Sequence, residues 1–266
     1  MSSPAPIGIF DSGVGGLSVM QKIRELLPQE DLIYFADSAY CPYGICPPEL
    51  VHNRTLALCE FMVSLGVKLV VVACNTASSA SLNKLRELHS IPIIGMEPAL
   101  KPASHITKNK RVGILATGVT IAGERFNSLI KRYANGIKVI SQPCPGLVEL
   151  VEAGETNGEK VDQMLKLYLD SLIKENVDTV VLGCTHYPFL NPVIKMIVGD
   201  GVEVIDTGEA VAKWVSQVLK KEDLKTPHIN PGTERFYTTG EPEKVQEVIT
   251  KLWNSSRQIT VKHVVV

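Results

Sequence analysis

Two cysteines occupy matching surroundings. Val70-Val71-Val72-Ala73-Cys74-Asn75-Thr76-Ala77-Ser78-Ser79 and Val180-Val181-Leu182-Gly183-Cys184-Thr185-His186-Tyr187-Pro188 each run from an apolar, β-branched stretch into a cysteine and then into small or polar residues. Short runs of that composition read as buried parallel strands. A helical pattern follows each cysteine, so both thiols are expected at the carboxyl end of a strand, where open α/β sheets bind ligands, and near a helix N-terminus. A lone cysteine ending a strand reads equally as core, because cysteine is among the most buried residue types. Two in matching contexts, each followed by side-chain donors, favour one ligand flanked by thiols from opposite sides.

Opposed thiols suit one task in particular: taking a weakly acidic proton from a carbon and returning one to its other face. One sulfur must then be a thiolate and the other a thiol, with the roles reversed after turnover. Free cysteine titrates near ~8.5 and a helix N-terminus lowers that value, which predicts thiolates accessible near neutral pH. Their protonation states must be restored by a carboxylate or imidazole. Asp11 is available on the Cys74 side, and His186 lies just beyond Cys184. Ser12, Asn75, Thr76 and Thr185 supply neutral donors for substrate carboxylates. His186 taken alone reads also as a hydrogen-bonded core histidine.

The elements that must position these groups follow from the periodicity. Ile7-Gly8-Ile9-Phe10 reads as a strand, Asp11-Ser12-Gly13-Val14-Gly15-Gly16 as a glycine-rich turn and Leu17 to Leu27 as a helix ended by Pro28. The turn resembles a phosphate cradle, but neither nucleotide-binding glycine pattern is present and Asp11 would repel an anion. Asp31 to Ala36 is a second strand, leading into the loop Asp37 to Gly44, where Pro42-Tyr43-Gly44 is either a plain turn or a ligand contact. Helices are expected over Glu49 to Leu65 and Thr76 to Leu88, with His52, Arg54 and Cys59 as surface or packing residues. A strand at Ile91 to Gly95 precedes Glu97-Pro98, where Pro98 and Pro102 interrupt any continuous helix.

The pattern then restarts, with strands at Arg111 to Leu115 and Ile137 to Ile140 around a helix from Ala122 to Tyr133. Pro143 to Gly154 is a loop entering a short helix, on which Glu149 and Glu152 share a similar face. Such a pair is by default a solvated face, and helix phase leaves the choice between them open. A helix over Val161 to Ile173, the second cysteine strand, a strand at Val202 to Asp206 and a helix over Ala210 to Leu219 follow. After a polar stretch from Lys220 to Gly232, a strand at Arg235 to Gly240, a helix from Pro242 to Trp253 and a β-rich tail from Ile259 to Val265 close the chain. Alternating strands and helices imply parallel βα units, and the repeated cysteine strand implies two related halves.

Composition narrows the class. A chain of 266 residues with 45% hydrophobic and 21% charged residues is ordinary for a globular protein, and a formal net charge of -1 gives no sign of a nucleic-acid or membrane partner. Met1-Ser2-Ser3-Pro4-Ala5-Pro6 lacks the basic start and apolar core of a signal peptide. Six cysteines without a C-x-x-C pair read as reduced cytosolic thiols, and Cys41 with Cys46 has no second pair to complete a zinc site, so no metal is expected.

Four stretches in this order resemble the glutamate racemases of the aspartate/glutamate racemase superfamily: Ile9 to Gly16, Cys41-Pro42-Tyr43-Gly44, Ala73 to Ala77 and Gly183 to Pro188. Gly95-Met96-Glu97-Pro98-Ala99 and Cys144 to Gly154 are similar to that family too, so the resemblance covers nearly the whole chain. It implies two similar parallel-sheet α/β lobes related by a pseudo-twofold, with the active site in the cleft between them. The lobes would be residues 1–98 plus 208–266, carrying Asp11 and Cys74, and residues 99–207, carrying Glu152, Cys184 and His186. It implies a cytoplasmic isomerase, commonly a homodimer, that needs no cofactor or metal and interconverts L- and D-glutamate for peptidoglycan. Cys74 would act on the D-enantiomer and Cys184 on the L-enantiomer. Asp11, Glu152 and His186 would assist, and Asp11, Ser12, Tyr43, Gly44, Asn75, Thr76, Thr185 and His186 would contact substrate. The chain departs from many relatives at Tyr40, where they carry Arg, and at Ile45-Cys46, where they carry Pro-Arg, which bears on how that loop closes.

Racemisation of aspartate or of a hydantoin is the nearest alternative. A thiol hydrolase with His186 as base would use one cysteine and leave the other idle. A non-catalytic amino-acid-binding module fits the same scaffold.

Overall fold

The computed structural model describes residues 2–253 and 258–266; residue 1 and residues 254–257, which the expected first-lobe ranges include, lie outside them. The chain opens with β1 (Ile7–Asp11), α1 (Leu17–Leu26), β2 (Leu32–Ala36), α2 (Pro48–Ser64), β3 (Leu69–Val72), α3 (Asn75–Leu88) and β4 (Ile93–Ile94). A short helix α4 (Leu100–Ile106) leads to β5 (Arg111–Ala116), α5 (Gly118–Ala122), α6 (Glu124–Tyr133), β6 (Lys138–Pro143) and α7 (Leu147–Glu152). Then come α8 (Glu159–Lys174), β7 (Thr179–Leu182), α9 (Asn191–Val198), β8 (Glu203–Ile205) and α10 (Gly208–Lys221). The chain ends with β9 (Glu234–Thr238), α11 (Pro242–Trp253) and β10 (Val261–His263).

These strands form two parallel sheets, in the orders β10-β9-β2-β1-β3-β4 and β6-β5-β7-β8. Without β9 and β10, each sheet has its second strand at one side of its first, then its third and fourth strands. The same connectivity is thus laid down twice, and the cysteine-bearing β3 and β7 hold the same place in it. Both are buried at every position, as are all five residues of β1. Parallel strands covered by helices on both faces require such apolar runs.

One buried cluster passes from one sheet to the other. It joins Ile9 and Val71 to Leu115, Val180 and Leu182, through Leu17, Met20 and Ile23 of α1 and Val211, Val215 and Leu219 of α10, which pack along one another. Burial of each Leu, Ile or Val side chain is worth ~1.5–3 kcal/mol, so this helix pair is a substantial apolar seam between the sheets. The two sheets carry the site residues at their carboxyl edges on either side of that seam.

The parallel α/β class expected from the alternating pattern is the one observed. Several local expectations differ. The helix expected over 122–133 is α6, which starts at Glu124; a separate short helix, α5, precedes it, and the extended backbone of Gly123 (φ -71°, ψ 142°) parts the two. Helix α4 begins just past Pro98 and holds Pro102 in its first turn, where a missing N–H costs no intrahelical bond. The tail pairs in parallel with β9 over only three residues, 261–263.

Candidate active site

Asp11 ends β1 fully buried, and its carboxylate organises the turn that follows. Oδ1 accepts from the Ser12 N–H (2.7 Å) and Ser12 Oγ (3.3 Å), while Oδ2 accepts from the Gly16 N–H (2.6 Å). Oδ2 also accepts from Thr185 Oγ1 at 3.1 Å, a bond between the two halves of the repeat. Burial raises the Asp11 carboxyl, and the His186 charge and Ser12 N–H pull it back only in part.

Cys74 caps α3: its Sγ accepts from the Ala77 N–H at 3.5 Å and lies 4.0 Å from Ser12 Oγ. The helix N-terminus does not win here, contrary to the lowered value expected from sequence. Burial and the adjacent Asp11 carboxylate push the Cys74 thiol well up, against the single N–H that favours thiolate. The resting sulfur is therefore a thiol with a carboxylate beside it.

Cys184 follows Gly183 at the end of β7, and its Sγ lies 3.7 Å from His186 Nδ1. His186 Nε2 meets Glu152 Oε1 at 2.6 Å, and the same carboxylate oxygen accepts from the Val14 N–H at 2.7 Å. Burial would lower His186, but its hydrogen bonds to Cys184, Cys41 and Glu152 outweigh that and hold the imidazole well above its ordinary 6.5. The buried imidazole thus links the Cys184 sulfur to the Glu152 carboxylate. Of the two glutamates left open by helix phase, Glu152 is the one in contact.

The glycines of the turn serve this close approach. A Cβ on Gly13 would fall 2.0 Å from Glu152 Oε1, and one on Gly15 would fall 2.3 Å from His186 Nδ1. Backbone of the first half is therefore in contact with the relay of the second, and the turn that looked like a phosphate cradle is filled by an imidazole and a carboxylate.

Both thiols line a single cavity of about 20 Å³, with Ser12, Tyr43, Gly44, Asn75, Thr76, Thr185 and His186. Asp11 and Glu152 stand behind it, bonded to Thr185 and His186 respectively. Both side-chain amide atoms of buried Asn75 lack a protein partner, leaving a donor and an acceptor for a polar ligand.

The structure adds residues that sequence reasoning missed. Thr117 and Thr120 line the cavity; Thr117 caps α5, and the two hydroxyls lie 3.0 Å apart and within 3.5 Å of Thr76 Oγ1. Their signal was present: Thr117 follows the carboxyl end of β5, the same topological place as Ser12 after β1. Arg54, expected on a surface or in plain packing, is buried and grips Asp37 through Nε (3.0 Å) and Nη2 (2.8 Å). Asp37 in turn accepts from Tyr43 O–H at 2.5 Å, so Arg54 holds the loop that presents Tyr43 and Gly44. Tyr40, the departure noted in that loop, lies with its ring 4.2 Å from the Arg54 guanidinium carbon. Cys41, set aside as half of an incomplete cysteine pair, brings its sulfur together with Glu152 and His186, each offering a ligand-capable atom within 4.8 Å of the others.

Residues 7–215 match the family model described as Asp/Glu/hydantoin racemase. A glutamate racemase of Herpetosiphon aurantiacus is 48% identical over 241 residues, covering 89% of this chain and 93% of that one. The crystal structure of a glutamate racemase isoform from Bacillus anthracis superposes with a TM-score of 0.88 at 34% identity, covering 98% of each chain. That of Escherichia coli glutamate racemase in complex with L-glutamate and the activator UDP-MurNAc-ala superposes with a TM-score of 0.87, also at 34% identity, over 98% of this chain and 99% of that one.

Proposed function

The chain belongs to the Asp/Glu/hydantoin racemase family, and from that premise we propose that it is a glutamate racemase whose Cys74 and Cys184 work on opposite faces of the α-carbon. The observation that carries this reading is that both sulfurs line one cavity from separate sheets. A thiol hydrolase would need one of them, and a binding module neither.

In this reading Asp11 takes the proton of Cys74, whose thiolate removes the α-proton of D-glutamate. The Cys184 thiol then donates to the other face and recovers its proton from the His186 imidazolium. That turnover leaves Asp11 protonated and His186 neutral. The L-to-D direction runs the same steps backwards and restores both, and a second turnover in the same direction first requires Asp11 to release its proton and His186 to take one up, so no net proton, electron or cofactor is consumed. Glu152 keeps His186 charged and aimed at Cys184. Asn75, Thr76, Thr185, Ser12, Tyr43 and Gly44 hold the substrate with neutral donors, which satisfies its carboxylates without burying an unpaired cation.

A cavity of about 20 Å³ has room for about one water, far less than an amino acid fills. Substrate entry then requires residues 1–98 plus 208–266 and residues 99–207 to move apart and close again. Such closure excludes water from a thiolate that must attack carbon acids. The resemblance extends the proposal to a homodimer that works in the cytoplasm and supplies D-glutamate for peptidoglycan.

The test is incubation of the protein with L-glutamate in deuterated water without cofactor. Loss of optical rotation together with deuterium at the α-carbon is the expected result. Rotation that persists with no exchange overturns the proposal, and faster exchange with aspartate would move the substrate.

A further inference from the structure

The Cys41, Glu152 and His186 cluster lies behind the cavity that holds the two working thiols, with Cys41 itself outside the cavity lining. A thiolate, an imidazole and a carboxylate form a donor set suited to a borderline-soft divalent cation and poorly suited to magnesium or calcium. Binding displaces one proton from the Cys41 thiol, which burial pushes up to about 12, and one from the His186 imidazolium, after which the three ligands carry two negative charges that balance a doubly charged ion. Three protein ligands leave a fourth position for water, as in open zinc sites.

An entry path exists as well. Glu152 lines a cavity of about 820 Å³ bounded by Val14, Ala39, Thr239 and Val248, which does not include either working thiol. An ion entering there meets the Glu152 carboxylate, whose Oε1 is the atom that faces His186 Nε2. The protein therefore has two approaches to its relay, one for substrate on the thiol side and one on the carboxylate side.

We propose that Cys41, Glu152 and His186 form a binding site for Zn²⁺, entered from the Glu152 side, whose occupation stops turnover. The ion would take the Nε2 and Oε1 atoms that now face one another at 2.6 Å. His186 would then be a metal ligand and could no longer hand a proton to Cys184. The inhibitory consequence rests on the racemase reading; the binding itself does not.

The experiment uses the full chain with no substrate, titrated with Co²⁺ as a coloured stand-in for Zn²⁺. Wild type and Cys184→Ser are expected to bind one ion per chain with a near-ultraviolet thiolate-to-cobalt absorption, and Cys41→Ser to lack that absorption. X-ray absorption of the zinc-loaded wild type should show one sulfur near ~2.3 Å and lighter ligands near ~2.0 Å, which needs no variant to fold. In turnover, Zn²⁺ should inhibit wild type reversibly on chelation, with Cys41→Ser at least about tenfold less sensitive relative to its own uninhibited rate. A band kept by Cys41→Ser and lost in Cys184→Ser or Cys74→Ser would overturn the site, as would two sulfur ligands or no binding. A protein that binds cobalt as described but does not racemise glutamate would sink the functional reading and leave the site standing.

Discussion

At Cys74 the chain leaves β3 directly into a 14-residue α-helix, whereas at Cys184 it leaves β7 into a tight 3₁₀ turn over Tyr187–Leu190 before α9 begins. The strands are alike and the exits are not. In the first exit the sulfur itself becomes the helix cap, and its acid-base partner, Asp11, must come from the neighbouring strand β1. In the second, delaying the helix leaves His186 beside the sulfur, and the relay runs outward to Glu152. In the reaction we propose, two thiols that do mirror-image work are thus served by unlike groups: a carboxylate whose proton affinity burial raises, and an imidazole whose charge hydrogen bonds preserve. Repetition fixes where the sulfurs are. The residues that follow fix how each is recharged.

The comparison breaks first at the sulfurs. Cys74→Ser and Cys184→Ser should each slow racemisation by about 10²–10⁴-fold, the span typical of a lost general acid or base. Enantiomers have equal free energies in water, so kcat/KM must fall by the same factor in both directions for either variant. Separate kcat and KM values, and α-deuterium exchange without inversion, are where the two sides differ. A serine variant with wild-type racemisation would show that its side of the comparison is idle.

A second asymmetry lies one strand away. The loop after β2 hangs from the buried Asp37–Arg54 pair, while β6, its counterpart in the other sheet, runs out through Pro143 into Cys144, where no ion pair is found among the described residues. Removing Arg54 leaves Asp37 buried without its cation, a loss of ~3–5 kcal/mol for a broken buried pair. Arg54→Met should therefore lower the unfolding free energy by that amount, seen as a lower urea midpoint, and raise KM for glutamate more than it lowers kcat, because Tyr43 and Gly44 lose their support. Arg54→Lys should recover part of both, since it restores the charge without the two-pronged geometry. An unchanged KM in a folded Arg54→Met would detach this pair from substrate binding.

How much of this was legible follows from the kind of signal each residue leaves. The strands β1, β3 and β7 are unbroken apolar runs because both their faces are covered, and a run of that kind survives in the sequence. The edge strand β6 is half-exposed and polar, and only part of it was seen. The α5–α6 break at Gly123 hides inside one continuous helical pattern, since a single glycine is compatible with a helix interior. Asp11, Cys74, Cys184 and His186 stand directly at strand ends and could be read from position. Arg54, Cys41 and Thr120 act across distances in the chain that no periodicity records; only the folded loop carries Cys41 to Glu152. The depression expected for the Cys74 thiol failed for a similar reason: the helix was visible, while the burial and the Asp11 charge that outweigh it were not.

Gly15→Ala sharpens the contrast at lower cost. The added methyl meets His186 at 2.3 Å, and overpacking of this kind typically costs ~1–3 kcal/mol. Its effect should fall on the Cys184 side, seen as a displaced imidazole resonance together with an activity loss of about tenfold or more. Asp11 and Ser12, the neighbours of Cys74, lie on the same turn as Gly15, so a uniform loss of structure around both cysteines would mean that the halves are not separable in this way.

The smallest expected effect concerns charge alone. Glu152→Gln keeps the shape of the contact to His186 and removes its negative charge, weakening a charge-assisted hydrogen bond by about 1.5 kcal/mol. His186 is held above its ordinary 6.5 in the folded protein, so its contribution to stability is fully present below 6.5 and fades as pH rises through the raised folded-state value. The variant should bring that fade to lower pH, so wild type gains its largest advantage on the acid side and loses it as the imidazole deprotonates. Histidine titration by NMR and urea unfolding across the same pH range read the two sides of this linkage independently. A His186 midpoint unmoved by Glu152→Gln would place the source of its charge in the Cys184 and Cys41 contacts, and the second cysteine would then be recharged by its own neighbours and not by the relay.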